Sequence, residues 1–289
     1  MLAFAAQATE RIVLGTMLDT PMVRHPSVLA SSIATVAELA PGRTVLGLGI
    51  GDTAVRLNGL TPAKVATLER AIRHARSLLA GEAVDVGAAK RARLRHAAPV
   101  PVWVAAQGPK SLRMAGATCD GIMLRVGRNR ENLKQAYAAV VEGAEAAGRD
   151  PGEIDIGLIL HTIPCDDVER AQTVAKSVAA GFYEYSPHLF ALPGIEWMGP
   201  NVEDLKKVVW PDFHHARDLD AAGHVVSFLP TRAADEFALY GTWDMIAAQL
   251  RDTLSPDLPI KYVLPHPLVL SGTKVDYLED FAEHVFGAV

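Results

Sequence analysis

The alternation of short apolar runs with amphipathic segments is the sequence feature that most restricts the fold. Residues 44–50 (TVLGLGI), 101–106 (PVWVAA) and 121–124 (GIML) are apolar throughout, as strands buried on both faces are. Apolar residues at helical spacing separate them. Parallel strands that alternate with helices form α/β sheets or barrels. We therefore predict an α/β fold, with further strands at residues 11–15, 154–160 and 260–264.

Local signals indicate where several helices begin and end. Thr61 as N-cap and Pro62 at the first helical position predict the start of a helix that Gly81 ends. Asn129 predicts the cap of a later helix, which Gly148 stops. A short helix is expected from residue 110, and a closing helix near residues 277–285.

Residues 163–235 interrupt this pattern, because they contain helical and loop segments but no evident core strand. Seven of the 18 aromatic residues fall between Phe182 and Phe213. We interpret the segment as an insertion whose aromatic side chains either line a ligand pocket or form a small satellite core. No linker divides the chain, so we expect one domain over residues 1–289.

Composition excludes several classes of protein. Lys plus Arg number 28 and Asp plus Glu 33, a net charge of −5, which leaves no basic surplus for nucleic acid. No apolar run reaches the roughly 18 residues of a membrane span, and Glu10 and Arg11 do not fit a signal peptide. Cys119 and Cys165 lie far apart in the sequence, which favours a reduced, cytoplasmic protein. Each is expected to be a small, buried apolar side chain. A small-molecule partner is therefore expected.

Ligands of parallel α/β proteins bind at the carboxyl ends of the strands, so the residues that follow each predicted strand are candidates. These candidates include Met17, Leu18, Asp19, Gly51, Asp52, Gln107, Gly108, Pro109, Lys110, Arg125, His161 and His266. Gly108 and Pro109 put a helix start directly after a strand, a place suited to phosphate because its backbone N–H groups are free. An ordinary Gly-Pro turn is the alternative.

The stretch GLGIGD at residues 47–52 lacks the G-x-G-x-x-G spacing and the later acid of a dinucleotide fingerprint. We interpret its glycines as space for a flat ligand to approach the backbone. Asp52 is a candidate acid or hydrogen-bond partner, or else a helix N-cap or loop carboxylate. The ten histidines contain no HExxH, and His214 and His215 would diverge on a helix, so no metal site is expected. Motifs of α/β-hydrolases and P-loop enzymes are absent.

At these strand ends the sequence resembles the luciferase-like superfamily. The residues that carry the likeness are TERIVLGT at 9–16, RHP at 24–26, SSIAT at 31–35, GLGIGD at 47–52, AAQGPKSL at 105–112, CDGI at 119–122 and GT at 241–242. The likeness is strongest over residues 9–127. Within the superfamily, it points to deazaflavin-dependent enzymes such as 5,10-methylenetetrahydromethanopterin reductase.

The resemblance implies a TIM (β/α)8 barrel with an insertion before the last strand, and coenzyme F420, or FMN in sister groups, as the cofactor. It places a bulge with a non-proline cis peptide bond at Met17–Leu18, where the flavin ring lies. It assigns the phosphate tail to the loop from Ala106 through Gln107 and Gly108 to Pro109, with Arg125 nearby. Gly51 and Asp52 fall beside the ring, where Asp52 is the candidate catalytic proton donor.

Against this family pattern, the first strand, the first helix and the second strand are missing. Three explanations stay open: a longer chain that begins upstream, a partner that covers the gap, or a degenerate relative. The first is favoured because the later motifs are intact.

The resulting hypothesis is an F420-dependent oxidoreductase that transfers a hydride between a deazaflavin and a small organic substrate. His161 and His266 are expected in the substrate pocket, or else as hydrogen-bonded residues of the barrel rim. An FMN-dependent monooxygenase and a non-catalytic flavin barrel are the alternatives. The family habit also suggests a homodimer.

Overall fold

The computed structural model describes residues 1–254 and 256–287. The chain divides into two compact units. The first contains Met1–Met123 and Ala138–Ile156, and the second contains Leu124–Tyr137 and the described residues from Gly157 onward. Strands and helices alternate in both units, which confirms the α/β class. Within the described ranges, no helix is long and apolar enough to span a membrane.

The first unit is built on four neighbouring strands in the order β1-β2-β3-β4, with β1 parallel to β2 and β2 parallel to β3. The strands are β1 (Leu14–Asp19), β2 (Thr44–Leu48), β3 (Val102–Ala106) and β4 (Gly121–Leu124), whose last residue belongs to the second unit. The helices are α1 (Leu2–Ala8), α2 (Pro26–Leu39), α3 (Thr53–Leu57), α4 (Val65–Leu79), α5 (Pro109–Thr118) and the later half of α6 (Arg130–Ala146).

Strands β1 and β2 approach each other unusually closely. The Thr16 hydroxyl donates to the Gly47 carbonyl at 2.8 Å and accepts from the Gly47 amide at 3.0 Å. A Cβ at position 47 would lie 2.1 Å from the Thr16 carbonyl oxygen, so only glycine fits there. The strand register shifts between Thr16 and Asp19, which marks a bulge in β1.

In the second unit, β5 pairs in parallel with β6 and also pairs with β7. Its elements are the first half of α6, most of β5 (Asp155–Pro164), α7 (Val168–Tyr185), α8 (Val202–Leu205), α9 (Leu219–Val225), α10 (Thr231–Phe237), β6 (Ala238–Gly241), α11 (Trp243–Thr253), β7 (Ile260–Pro267) and α12 (Lys274–His284). Helix α7 packs on α9, α10 and β6 and buries one whole side.

Aromatic side chains of the expected insertion pack against one another and against Phe237 in the second unit. Phe237 lies between Phe182, at 5.0 Å between ring centroids, and Phe190, at 4.9 Å. Tyr183 and Trp197 stack at 4.2 Å with nearly parallel rings. The satellite-core interpretation therefore accounts for this part of the insertion.

Several element boundaries differ from the sequence prediction. Strand β1 begins at Leu14 rather than at residue 11, since Arg43 binds the carbonyls of Ile12 and Thr9 and takes this segment out of the sheet. Helix α4 begins at Val65 with Lys64 as its N-cap, so Thr61 and Pro62 do not start it. The amide of Ala63 instead donates to the Ile50 carbonyl, which ties residues 61–64 to the end of β2.

Candidate functional site

The carboxyl ends of β1, β2 and β3 meet at one edge of the first unit, because these strands are parallel neighbours. This edge collects most of the residues assigned to the cofactor: Met17, Leu18, Gly51, Asp52, Ala106, Gln107, Gly108 and Pro109. Met17 and Leu18 were expected after the first strand, but they lie inside β1. The difference follows from the later start of that strand.

The bulge of β1 lies at the position that the family resemblance indicated. The peptide bond between Met17 and Leu18 is cis, and the amide of Gly49 donates to the Asp19 carbonyl at 2.9 Å beyond the bulge. The side chain of Leu18 remains 44% exposed. An apolar, partly open surface is therefore available at this end of the sheet.

The glycines that follow β2 make room for protein atoms rather than for a ligand on their Cβ side. A Cβ at Gly49 would lie 2.6 Å from Leu18 Cδ1. At Gly51, which has φ +77°, it would lie 2.3 Å from Val55 Cγ2. Close packing on β1 and α3 already requires glycine at positions 49 and 51. The predicted approach of a flat ligand is therefore not needed to explain why these residues are glycines.

Asp52 stands at the N-cap position of α3, but its side chain caps no backbone amide. Instead, one carboxylate oxygen accepts a hydrogen bond from Arg56 Nε at 3.0 Å, and about a third of the side chain is exposed. A second acid that follows the first predicted strand lies at the same edge. Asp19, at the end of β1, is 11% exposed and pairs with Arg24 at 2.6 Å. Both carboxylates are thus held by an arginine near in sequence.

The loop that leads into α5 presents an open helix N-terminus. Gly108 is the N-cap, with φ −88° and ψ 148°, and Pro109 is the first helical residue. A Cβ on Gly108 would meet only Ser111 Oγ, at 3.7 Å, so the space around this residue is largely free. The Ser111 hydroxyl donates to the Gly108 carbonyl at 2.8 Å. An open N-terminus of this kind fits a phosphate group.

A cavity of about 400 Å³ elsewhere in the first unit is lined by Arg73, Arg76 and Arg149. It lies at helix ends rather than at the carboxyl ends of the strands. Arg73 pairs with Glu69, and Arg149 donates to the Gly116 carbonyl at 2.7 Å. These arginines are engaged with the protein, and we do not assign the cavity to the site.

The second unit contains four histidines in mutual contact, His161, His214, His215 and His266, which we name the imidazole cluster. The ring centroids of His161 and His214 are 4.9 Å apart and stacked, and those of His161 and His266 are 4.7 Å apart. His215 lies 6.0 Å from His266 and 6.3 Å from His214. Among residues 1–254 and 256–287, no group of three His, Cys, Asp or Glu residues is arranged to hold a metal ion.

Two paired strands and one turn build the imidazole cluster. His161 lies within β5 and His266 within β7, whereas both were expected after shorter strands. His214 and His215, expected to diverge on a helix, lie in a turn instead. The carboxylate of Asp212 accepts the backbone amides of both at 2.9 Å and also contacts His215 Nδ1 at 2.9 Å. This Asp212 turn is why sequence reasoning missed half of the cluster.

The inner rings of the cluster, those of His161 and His214, are buried and lack hydrogen-bond partners. His161 is 0% and His214 3% exposed, and neither nitrogen of either ring has a hydrogen-bond partner within the described part of the chain. Burial, first, and then the neighbouring rings and Arg125 hold the pKa of His161 well below its usual range. Burial and Arg125 do the same for the pKa of His214. For His266, burial and then His215 lower the pKa to about 4.

Arg125 lies beside the same cluster. Its guanidinium carbon is 5.3 Å from the centroid of the Phe182 ring. Phe182 makes edge contacts with His161 at 5.7 Å and with His214 at 5.3 Å. A cation and two imidazoles therefore contact one aromatic ring, and the arrangement suits an anionic or hydrogen-bonding ligand.

Known proteins resemble this chain in sequence and in fold. A family model described as luciferase-like monooxygenase matches residues 1–255. The 5,10-methylenetetrahydromethanopterin reductase of Methanolobus tindarius is 33% identical over 197 residues, which cover 65% of this chain and 60% of that protein. The F420-dependent glucose-6-phosphate dehydrogenase of Beutenbergia cavernae is 36% identical over 192 residues, 62% of this chain and 57% of that protein. The chain thus spans about 60% of the length of these relatives.

The fold also resembles a solved structure. The coenzyme F420 dependent tetrahydromethanopterin reductase from Methanopyrus kandleri superposes with a TM-score of 0.70 at 23% identity, over 99% of this chain and 86% of that one. At this identity the likeness concerns the fold alone.

Proposed function

Because the chain belongs to the luciferase-like monooxygenase family, we propose that it is an oxidoreductase that binds coenzyme F420 and acts on a small organic substrate. The observation that carries the proposal is the joint position of the β1 bulge and the open N-terminus of α5 at one edge of the first unit. The name of the relative from Beutenbergia cavernae, which specifies F420, supports the choice of cofactor.

When bound, F420 would accept or supply a hydride at its deazaflavin ring. We assign Met17 and Leu18 to the surface that supports the ring, with Gly51 and Asp52 beside it. Asp52, held by Arg56, would orient or protonate a polar group of the ring or substrate.

The loop of Ala106, Gln107, Gly108 and Pro109 would hold the phosphate of the cofactor tail on the first amides of α5. We assign His161 and His266 to the substrate pocket. Arg125 was expected to contact the tail, but we now place it on the substrate side, because it lies over Phe182 beside these histidines.

We also propose that the strands belong to a (β/α)8 barrel, which the likeness in fold supports. The homodimer remains a proposal, and light scattering tests it against the 30.9 kDa mass of one chain.

The deciding experiment is a fluorescence titration of the purified protein with F420 and with FMN, on this chain and on a form extended from an upstream in-frame start. Saturable F420 binding in the micromolar range supports the proposal. Binding of FMN alone would favour an FMN-dependent monooxygenase, the alternative that the family description supports. If neither form binds either cofactor, the proposal fails and a non-catalytic protein is the better description.

A further inference from the structure

We propose that the imidazole cluster recognises an oxyanion of the substrate, a carboxylate or a phosphate ester, and takes up protons when the anion binds. The inference rests on the proposed function in one respect, namely that the anion is part of the enzyme's substrate. It adds a class of substrate to a function that otherwise leaves the substrate open. All residues of the site, including Arg125, belong to the second unit.

His161 and His214 are almost completely buried, and the four nitrogens of their rings have no partner among the described residues. Buried polar groups in proteins are nearly always hydrogen-bonded, because an unpaired group loses its contacts with water and gains nothing in return. Two adjacent rings with this deficit indicate a ligand or ordered water that completes them.

The groups that lower the pKa of the cluster are Arg125, Lys274 and the other imidazoles, all of them cationic or neutral. One carboxylate does reach the cluster, because Asp212 accepts the amides of His214 and His215 and also contacts His215 Nδ1 at 2.9 Å. The carboxylate of Glu184 pairs with Lys206 at 2.8 Å. The ring of Tyr185 stacks on His214 at 6.2 Å and brings no charge.

His215 is 46% exposed in its side chain and His266 is partly buried, whereas His161 and His214 lie deeper. The cluster thus extends from the surface of the second unit to its interior. A small anion can therefore contact the outer rings, His215 and His266, from solvent.

An oxyanion suits these rings better than a metal ion. The rings of His161 and His214 are stacked with an interplanar angle of 23°, so their lone pairs do not converge on one point. Imidazole and guanidinium N–H groups instead donate to oxygen acceptors, most strongly to charged ones.

Proton uptake follows from the same arrangement. Burial and Arg125 keep the free rings neutral near neutral pH. An anion beside them favours the protonated form and raises their pKa. Protonation and anion binding therefore strengthen each other, and affinity for the anion rises as the pH falls.

The test is isothermal titration calorimetry of the full chain with sulfate, a phosphate-like dianion, and with acetate, a carboxylate. Titrations near pH 6 and near pH 8, in buffers of different ionisation enthalpy, measure the protons taken up. We expect about tenfold tighter binding per pH unit for each proton taken up. Sulfate binding alone indicates a phosphate ester, and acetate binding alone a carboxylate. If neither binds with proton uptake, the inference is overturned.

Variants locate the site. His266→Gln keeps a hydrogen-bonding side chain but removes a titrating ring, and we expect at least a fivefold loss of anion affinity, on the order of the loss of one charge-assisted bond. His215→Gln, in an exposed turn, is a second variant should β7 not tolerate the first. His96→Gln, whose ring is 73% exposed in the first unit, is the matched control and should bind as the wild type does.

The F420 titration separates the two proposals. A protein that binds F420 but neither anion retains the proposed function and loses this inference. A protein that binds the anion with proton uptake but no F420 retains the anion site and loses the proposed function.

Discussion

Gly108 and Gly116 differ in what their missing side chains leave open. At Gly108, before α5, an added Cβ would come no closer than 3.7 Å to a neighbouring atom, and the backbone has φ −88°. At Gly116, inside α5, it would lie 2.1 Å from the Val140 carbonyl oxygen of α6. The first glycine therefore leaves space that a ligand can use, whereas the second is needed for the packing of two helices.

We predict that Gly108→Ala leaves stability unchanged and weakens F420 binding by about tenfold, because the methyl group stands where a phosphate would meet the first amides of α5. Gly116→Ala, as a comparison, should lower the unfolding free energy by about 1–3 kcal/mol through overpacking. Thermal unfolding and fluorescence titration of both variants measure these effects. Wild-type affinity in Gly108→Ala would place the phosphate tail away from this loop.

At the scale of elements, Asn129 links two helices of the second unit. Its Oδ1 accepts the amides of Glu131 and Asn132 at 2.9 and 3.1 Å, which confirms the predicted cap of α6. Its Nδ2 donates to Glu236 of α10 at 2.9 Å. The Asn129 side chain thus provides an acceptor for two backbone amides at the start of α6 and a hydrogen bond to α10.

We expect Asn129→Ala to lower the unfolding free energy by about 1–2 kcal/mol, since two amides of α6 lose their acceptor. Asn129→Ser should recover most of the loss, because its hydroxyl can still accept at the cap. Asn58→Ala is the surface control, and we expect a change within about 0.5 kcal/mol because that residue is exposed. Urea unfolding measures all three. Equal stability of the alanine and serine variants would show that the cap contributes nothing.

Element identity was more predictable than element ends. The buried strands β2, β3 and β4 and the cap of α6 follow from local pattern, because burial on both faces and capping chemistry act over a few residues. The start of β1 depends on Arg43, some thirty residues away, and that contact is invisible to local pattern. Strand β6 was missed for a similar reason: its four residues are strand only because β5 pairs with them.

The site divides in the same way. Residues at strand ends, such as Gly108, could be found because a parallel sheet fixes where ligands bind. Two members of the imidazole cluster could not, because His214 and His215 enter it through the turn that Asp212 holds. An Asp two and three positions before adjacent histidines was the available signal, since Asp side chains accept amides at these offsets in turns.

At the scale of the whole molecule, the imidazole cluster makes stability depend on pH. The pKa values of His161, His214 and His266 lie below the value near 6.5 that they take in the unfolded chain. Between these values the unfolded state binds more protons than the folded state. Stability is therefore fully present above pH about 6.5 and is lost as the pH falls towards the folded pKa values. The raised pKa of the buried carboxyl Glu184 opposes this loss in part.

We accordingly predict that the unfolding free energy is highest near pH 8 and declines steeply below pH about 6.5, by up to about 1.4 kcal/mol per pH unit for each fully buried histidine. Urea unfolding across this range measures the slope. His266→Gln should flatten it by removing one titrating ring, while His96→Gln, which changes an exposed histidine, should leave it as steep as in the wild type.

Sulfate extends the same prediction to the bound state. An anion in the cluster raises the folded pKa values towards those of the unfolded chain, so the difference in bound protons shrinks. We expect saturating sulfate to stabilise the protein more at pH about 5.5 than at pH about 8 and to flatten the decline in the wild type. The effect should be weaker in His266→Gln. A uniform stabilisation by sulfate at every pH would instead indicate general exclusion from the protein surface rather than binding to the histidines.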